Sequence, residues 1–324
     1  MMKKWQIMLL MILAVIAVLL ILFHKLVWLI GCNLFQPALP LDENAEWTGG
    51  TYNRVYYGES EAQYADLYVP NTDEPSPLFV LVHGGGFVSN DAQSRQAQFM
   101  YRYFRDHGYA CASVNYRLAA EAPFPAAIED VGAAVKYLGQ HAGEFGYNAE
   151  KVAIWGESAG GYLAAYEAIS ETEVNIAALV DFYGCTDFLT MEEQFEALGI
   201  PKLVRTIANS WAVGALEGFS SCEEYWLRKP YAEWSEELKK TASVVWQAEH
   251  NAKNPSLRSL IYHGDADMTV PDAQSAALFS ALKHACGEGN VKYERFHGYM
   301  HAADRFYSDE RLSEVESFIR EVIK

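Results

Sequence analysis

Three separated stretches carry residue types that could do chemistry together. Ser158 stands in "WGESAGG", between Gly156 and Gly160, behind an apolar run and ahead of a helical pattern. A serine on such a strand-to-helix bend is held in strained backbone, and its flanking positions must be small. Its hydroxyl becomes a nucleophile only if a histidine takes the proton and a carboxylate orients that histidine. "YHGDADMTVP" offers Asp265 and Asp267, and "FHGYMHAAD" offers His297 and His301, each after a further apolar run. The residues alone leave two candidates for each role. They also leave the plainer possibility that Ser158 only caps the following helix. His284 falls inside a helical pattern and is a poor base. Glu157, next to the serine in a tight turn, points elsewhere and is expected to be structural or modulating. The chemistry suggested is acyl transfer.

A fourth stretch, "LVHGGGFVSN" (residues 81–90), sets three glycines behind a histidine. Glycine costs backbone entropy, so a triplet needs a reason. A phosphate loop requires a terminal G-K-[ST], which is missing, and Ser89 stands where a dinucleotide fingerprint needs its last glycine. Acyl transfer builds an oxyanion, and preorganised backbone N–H groups stabilise it by about 3–4 kcal/mol for a key donor. The glycine loop suits that task.

The elements that must position these residues alternate. Early strands are expected in "TYNRVYYG" and "YADLYVP". Buried strands are expected in "LFVLVH", "ACASVNY", "KVAIW", "AALVDFYG", "LRSLIYHG" and "VKYERFHG". Helices are expected from Asp91 to His107, from Pro125 to about His141, after Ser158, from Ser275 to Ala285, and in "RLSEVESFIREVIK". The last of these has Leu312, Val315, Phe318, Ile319, Val322 and Ile323 on one face. This rhythm predicts an α/β fold with a mostly parallel sheet flanked by helices. It breaks between Asp187 and about Lys240, where aromatics (Phe188, Phe195, Trp211, Phe219, Tyr225, Trp226) are scattered without a clear strand. A helical cap insertion, about 188–240, is expected there. Most of its aromatics should pack the insertion onto the body.

"HGGGF", "NYRLAAEAPFPAAIEDV", "GESAGG", "HGDADMTVP" and "GYMHAAD" follow one another in an order that resembles the α/β-hydrolase carboxylesterases of the hormone-sensitive-lipase-like group. The resemblance runs from about Tyr64 to the C-terminus. It implies an α/β-hydrolase fold, with Ser158 as nucleophile, Asp267 as acid and His301 as base. It also implies an oxyanion hole formed by the N–H groups of Gly85, Gly86 and Ala159. His83, Gly84, Gly156 and Gly160 are supporting motif positions, His83 as a loop brace. Asp265 and His297 become turn and strand-end residues, and Arg117 and Asp130 a structural pair. The implied activity is hydrolysis of short to medium acyl esters through an acyl-enzyme, with no metal or organic cofactor and a small-molecule ester as partner. Deacetylase, peptidase and arylformamidase activities use the same parts. A non-catalytic esterase-like binding ectodomain is the alternative of a different class.

Composition sets the outer bounds. The chain has 324 residues, 51% hydrophobic, with 25 Lys+Arg against 42 Asp+Glu and a formal charge of -17. So acidic a surface argues against nucleic acid and against a polybasic membrane patch. The five cysteines (Cys32, Cys111, Cys185, Cys222, Cys286) form no C-x-x-C pair, so neither a zinc site nor a dense disulfide framework is expected. The first 31 residues are a separate object: Lys3 and Lys4 precede an apolar run from Ile7 to Phe23, which resumes after Lys25. This length suits an N-terminal transmembrane helix, and the lysines place the large domain on the extracytoplasmic side. The rival is a lipoprotein signal, since "LIGC" would lipidate Cys32 after cleavage. Residues 32–50 are expected to be a tether and 51–324 the catalytic domain. Oligomeric state is not encoded legibly.

Overall fold

Alternation of side chains about a strand explains how one sheet separates two cores. Phe79, Leu81, Ala153, Trp155, Ala178 and Val180 face one side, while Leu78, Val80, Val82, Ile154 and Leu179 face the other. All are fully or almost fully buried, as expected of central strands covered on both faces. The computed structural model describes residues 49–199 and 216–323, residues 27–32 and 35–41, and isolated positions among the first 24.

The strands are β1 (Gly50–Tyr56), β2 (Tyr64–Pro70), β3 (Ser76–Val82), β4 (Ala110–Val114), β5 (Tyr147–Glu157), β6 (Ile176–Phe182), β7 (Arg258–Gly264) and β8 (Val291–Phe296). They form one sheet of order β1-β2-β4-β3-β5-β6-β7-β8. β2 pairs antiparallel with β1 and β4, and every other pairing is parallel. The parallel run matters for function. It brings the loops after β3, β5, β7 and β8 to one carboxyl edge of the sheet, where ligands bind in open α/β folds.

Helices cover both faces. Arg95–Asp106 and Asp309–Ile323 lie on one side, the latter through Leu312, Val315, Phe318, Ile319, Val322 and Ile323. Ala126–Gln140, Ala159–Ser170 and Ala273–Cys286 lie on the other. The helix expected from Asp91 starts instead at Arg95. Asp91 Oδ1 accepts from the Gln93 N–H at 2.7 Å, holding a turn, and the Ser94 side chain caps the helix by accepting from Ala97 N–H. Between β6 and β7 the described residues form helices, among them Met191–Leu198, Cys222–Leu227 and Val244–Asn251, and no strand. Aromatic stacking fastens this stretch to the body: Trp226 lies flat on Phe87, ring centres 3.9 Å apart, and meets Phe124 and Tyr162 edge-on. Trp211 lies outside the described residues.

Most of the expected transmembrane run also lies outside the described residues, and among those described no helix is long and apolar enough to cross a membrane. The expected tether departs from expectation over residues 36–41. Gln36 donates to Gly298 O, Leu39 N–H donates to Asp304, and Leu39 and Leu41 pack on the core. Apolar side chains at these two positions prefer a groove on the body to water. All five cysteines are free.

The Arg117–Asp130 pair closes the turn before the helix Ala126–Gln140. Asp130 accepts from Arg117 Nη2 at 2.7 Å, from Arg117 Nε and backbone N–H at 2.9 Å each, and from Gln63 at 2.6 Å. Its side chain is 1% exposed. Truncating it leaves Arg117 without its counter-charge, so Asp130→Ala should cost about 3 kcal/mol in urea unfolding. A loss below about 1 kcal/mol would put the pair among ordinary surface bridges.

Candidate active site

The loop after β5 is a tight corner. Ser158 has φ 54° and ψ −122°, a conformation that side-chain-bearing residues rarely adopt. It survives because its neighbours leave no alternative. A Cβ on Gly156 would stand 2.0 Å from Gly160 O, and one on Gly160 would stand 2.1 Å from Val82 O. The helix Ala159–Ser170 starts at once, so its N-terminus lies beneath the serine and favours developing negative charge. The Ser158 side chain makes no capping bond to that helix. Its Oγ instead meets His301 Nε2 at 2.9 Å.

His301 comes from the loop after β8, and its Nδ1 lies 2.6 Å from Asp267 Oδ2 in the loop after β7. A carboxylate only accepts, so Nδ1 carries the hydrogen and the neutral ring keeps Nε2 as an acceptor toward Ser158 Oγ–H. Of the two acid and two base candidates, His301 meets the serine and Asp267 meets His301. Asp265 faces away, accepting from Gly298 N–H at 2.7 Å and lying 3.0 Å from His297 Nδ1. The His297 side chain is 82% exposed.

The electrostatics follow from burial and partners. Burial pushes the Asp267 carboxyl up, but the charge of His301 and hydrogen bonds from His263 and His301 outweigh it and hold it well below the usual carboxylate range. Its other oxygen accepts from the N–H groups of Thr269 and Val270, both at 2.8 Å. For His301, burial lowers the pKa, and the charge and hydrogen bond of Asp267, with Glu157 and Glu223 behind, raise it above the ordinary histidine value. The Tyr183 ring packs edge-on to the imidazole at 4.9 Å.

The loop after β3 completes the arrangement. Gly85 has φ 109° and Gly86 has φ 61°, and a Cβ on Gly85 would stand 2.3 Å from Ser89 O. Here glycine is required by both conformation and space. Among the described residues, the N–H groups of Gly85 and Gly86 have no hydrogen-bond partner, and both residues line the same cavity as Ser158. Gly84 N–H is tied to Glu157 Oε1 at 2.7 Å. His83 is buried, stacks on Tyr116 and donates from Nδ1 to Gly84 O at 2.7 Å. Burial lowers its pKa to about 4, so it stays neutral in this brace. The cavity over the serine is about 540 Å³. Met191, Phe195, Leu216 and Trp234, all from the stretch between β6 and β7, supply apolar wall. No cluster of metal-binding side chains occurs among the described residues.

One residue of the site, His263, escapes a reading by motif. His263 is fully buried, with Nε2 3.3 Å from Asp267 Oδ2 and Nδ1 2.7 Å from Ser275 Oγ. Its signal was a polar residue ending an otherwise apolar strand. Glu157 spans from the serine corner to the glycine loop. Burial raises its pKa, and the Gly84 N–H partly offsets this.

The family model described as BD-FAE matches residues 65–282. Esterase LipQ of Mycobacterium tuberculosis is 27% identical over 240 residues, covering 71% of this chain and 51% of LipQ. The chain thus spans about half the length of that relative. A truncated carbohydrate esterase from gut microbiota superposes with TM-score 0.69 at 21% identity, covering 86% of this chain and 98% of the other. EstE1, a thermostable carboxylesterase from a metagenomic library, gives TM-score 0.66 at 22% identity, covering 91% and 93%. These superpositions establish the fold as that of an α/β hydrolase. With a match over well more than half its length, the chain belongs to the BD-FAE family.

Proposed function

We propose that the protein is a serine carboxylesterase acting on short to medium acyl esters. The observation that carries this is the line Ser158 Oγ–His301 Nε2–Asp267, at 2.9 and 2.6 Å, in a cavity bordered by Gly85 and Gly86. Ser158 Oγ attacks the ester carbonyl while His301 Nε2 takes its proton. The carbonyl oxygen, now negative, accepts from the N–H groups of Gly85, Gly86 and Ala159. The tetrahedral intermediate collapses, and His301 returns the proton to the departing alcohol. Water then gives a proton to His301 and attacks the acyl-enzyme carbonyl; the Oγ–acyl bond breaks to release the acid, and His301 returns the proton to Ser158 Oγ. Asp267 keeps its charge throughout and holds the ring in the required tautomer. The stretch of about 188–240 acts as a cap whose apolar wall receives the acyl or alcohol group.

We further propose that the N-terminal apolar run, up to the docked Trp28–Cys32, anchors the chain in a membrane, uncleaved, with the catalytic domain outside. Support for an uncleaved segment is that Leu29, which a lipoprotein cleavage before Cys32 would remove, is buried against Ala266 and Met268. The intact mass of the mature protein tests this.

Ser158→Ala should abolish labelling by a fluorophosphonate probe and lower p-nitrophenyl butyrate turnover by about 10⁴-fold or more. Retained labelling would remove Ser158 from its role. Gly85→Val should lower kcat by about 10²–10³-fold with an unchanged far-ultraviolet circular dichroism spectrum. An unchanged kcat would exclude Gly85 from the oxyanion hole.

The base must be neutral to act, and Asp267 raises its pKa. Activity should therefore fall as pH drops through a value above the ordinary 6.5 of histidine. Asp267→Asn removes the raising charge and leaves the lowering effect of burial, so the acid limb of kcat/KM should move to lower pH. Movement to higher pH would contradict the assignment.

A further inference from the structure

The loops that carry Asp267 and His301 are joined by more than their own contact. At their base, Asp265 N–H donates to Phe296 O at 3.0 Å and Ala266 N–H to Tyr299 O at 3.1 Å. A third segment, more than two hundred residues away in sequence, lies across both. Leu29, 1% exposed, packs on Ala266 and Met268, the two residues flanking Asp267. Trp28 stacks on His297 with ring centres 5.1 Å apart and planes 16° from parallel. Gln36 Nε2 bridges Cys32 O at 2.9 Å and Gly298 O at 2.7 Å, three residues before His301. Leu39 N–H donates to Asp304 Oδ2 at 2.9 Å, three residues after His301, and Arg95 fixes both, at 2.7 Å to Leu39 O and 2.8 Å to Asp304.

We infer that residues Trp28–Cys32 and Gln36–Leu39 form a clasp that holds the acid loop and the base loop in register, and so sets the contact between Asp267 and His301. Its partners sit on both loops and avoid the reacting atoms, which makes Leu29 and Gln36 positioning residues. Burying a leucine takes its apolar surface out of water, enough to bias a loop by roughly tenfold or more. Residues 28–31, expected in the membrane anchor, and residues 36–39, expected in a passive tether, thereby become part of the machinery. A membrane anchor continuous with them would be coupled directly to the two loops. The inference rests on Asp267 and His301 being acid and base.

The test uses the full chain with the substitutions Leu29→Ala and Gln36→Ala, alone and together. Leu29→Met serves as the conservative rescue, and Phe35→Ala, whose ring is 82% exposed, as the control. Two readouts are taken: kcat and KM for p-nitrophenyl butyrate across pH, and the NMR titration of the His301 ring. A loosened clasp lengthens the Asp267–His301 contact. The double variant should lose about tenfold in kcat with KM changed less than twofold, and its His301 should titrate at lower pH. Leu29→Met and Phe35→Ala should match the wild type. Unchanged kcat and unchanged His301 titration in the double variant would overturn the clasp, as would equal losses in the Phe35→Ala control. A wild-type chain that hydrolyses no ester would sink the esterase assignment instead, and the His301 titration would still decide the clasp.

Discussion

A carboxylate 3% exposed to solvent must collect its hydrogen bonds from the protein, and the architecture around Asp267 is organised by that requirement. Its two oxygens take the N–H groups of Thr269 and Val270, the His301 ring at 2.6 Å, and His263 at 3.3 Å. Each donor constrains a different part of the fold. The backbone donors fix the turn after β7, His263 fixes the end of that strand, and His301 draws in the loop after β8. A charge satisfied in this way keeps its proton off, and this is why it can hold the imidazole in one tautomer. Removing the charge alone would cost more than a hydrogen bond, because the remaining donors would then point at nothing suitable.

The strained serine corner is the complementary constraint. The positive φ of Ser158 is unfavourable on its own, by an amount on the order of 1–3 kcal/mol. It is enforced by contacts at Gly156 and Gly160 so close that no Cβ fits. The same crowding places Glu157 beneath the glycine loop, where its carboxylate holds Gly84 N–H at 2.7 Å. The serine corner and the glycine loop are thus one mechanical unit, with His83 and Tyr116 bracing its far side. Opposite stands a wall supplied by the residues between β6 and β7, pinned to the loop by the stack of Trp226 on Phe87.

The alternation of apolar strands and amphipathic helices was legible because parallel strands buried on both faces leave continuous apolar runs, as in Leu78–Val82. The serine and the glycine loop were legible because strain and close approach restrict residue type. The candidate acid and base were legible only to pairs, Asp265 or Asp267 and His297 or His301, since position within a loop depends on how two loops pack. The resemblance, rather than spacing, separated them. His263 was not singled out, because a buried histidine that bonds through both nitrogens has no local pattern. The docking of residues 28–32 and 36–39 was invisible for a similar reason. Its partners lie more than two hundred residues away, and an apolar residue after an apolar run looks like more of the same.

The central claim is that Ser158 carries the acyl group between two half-reactions. Rapid acid quench of the full chain during turnover of p-nitrophenyl butyrate, followed by intact-mass and peptide-mapping mass spectrometry, tests it directly. The account predicts one butyryl group per chain, on the peptide that contains Ser158, appearing before steady state and absent from Ser158→Ala. Steady turnover with no adduct, or with the acyl group on another residue, would contradict it.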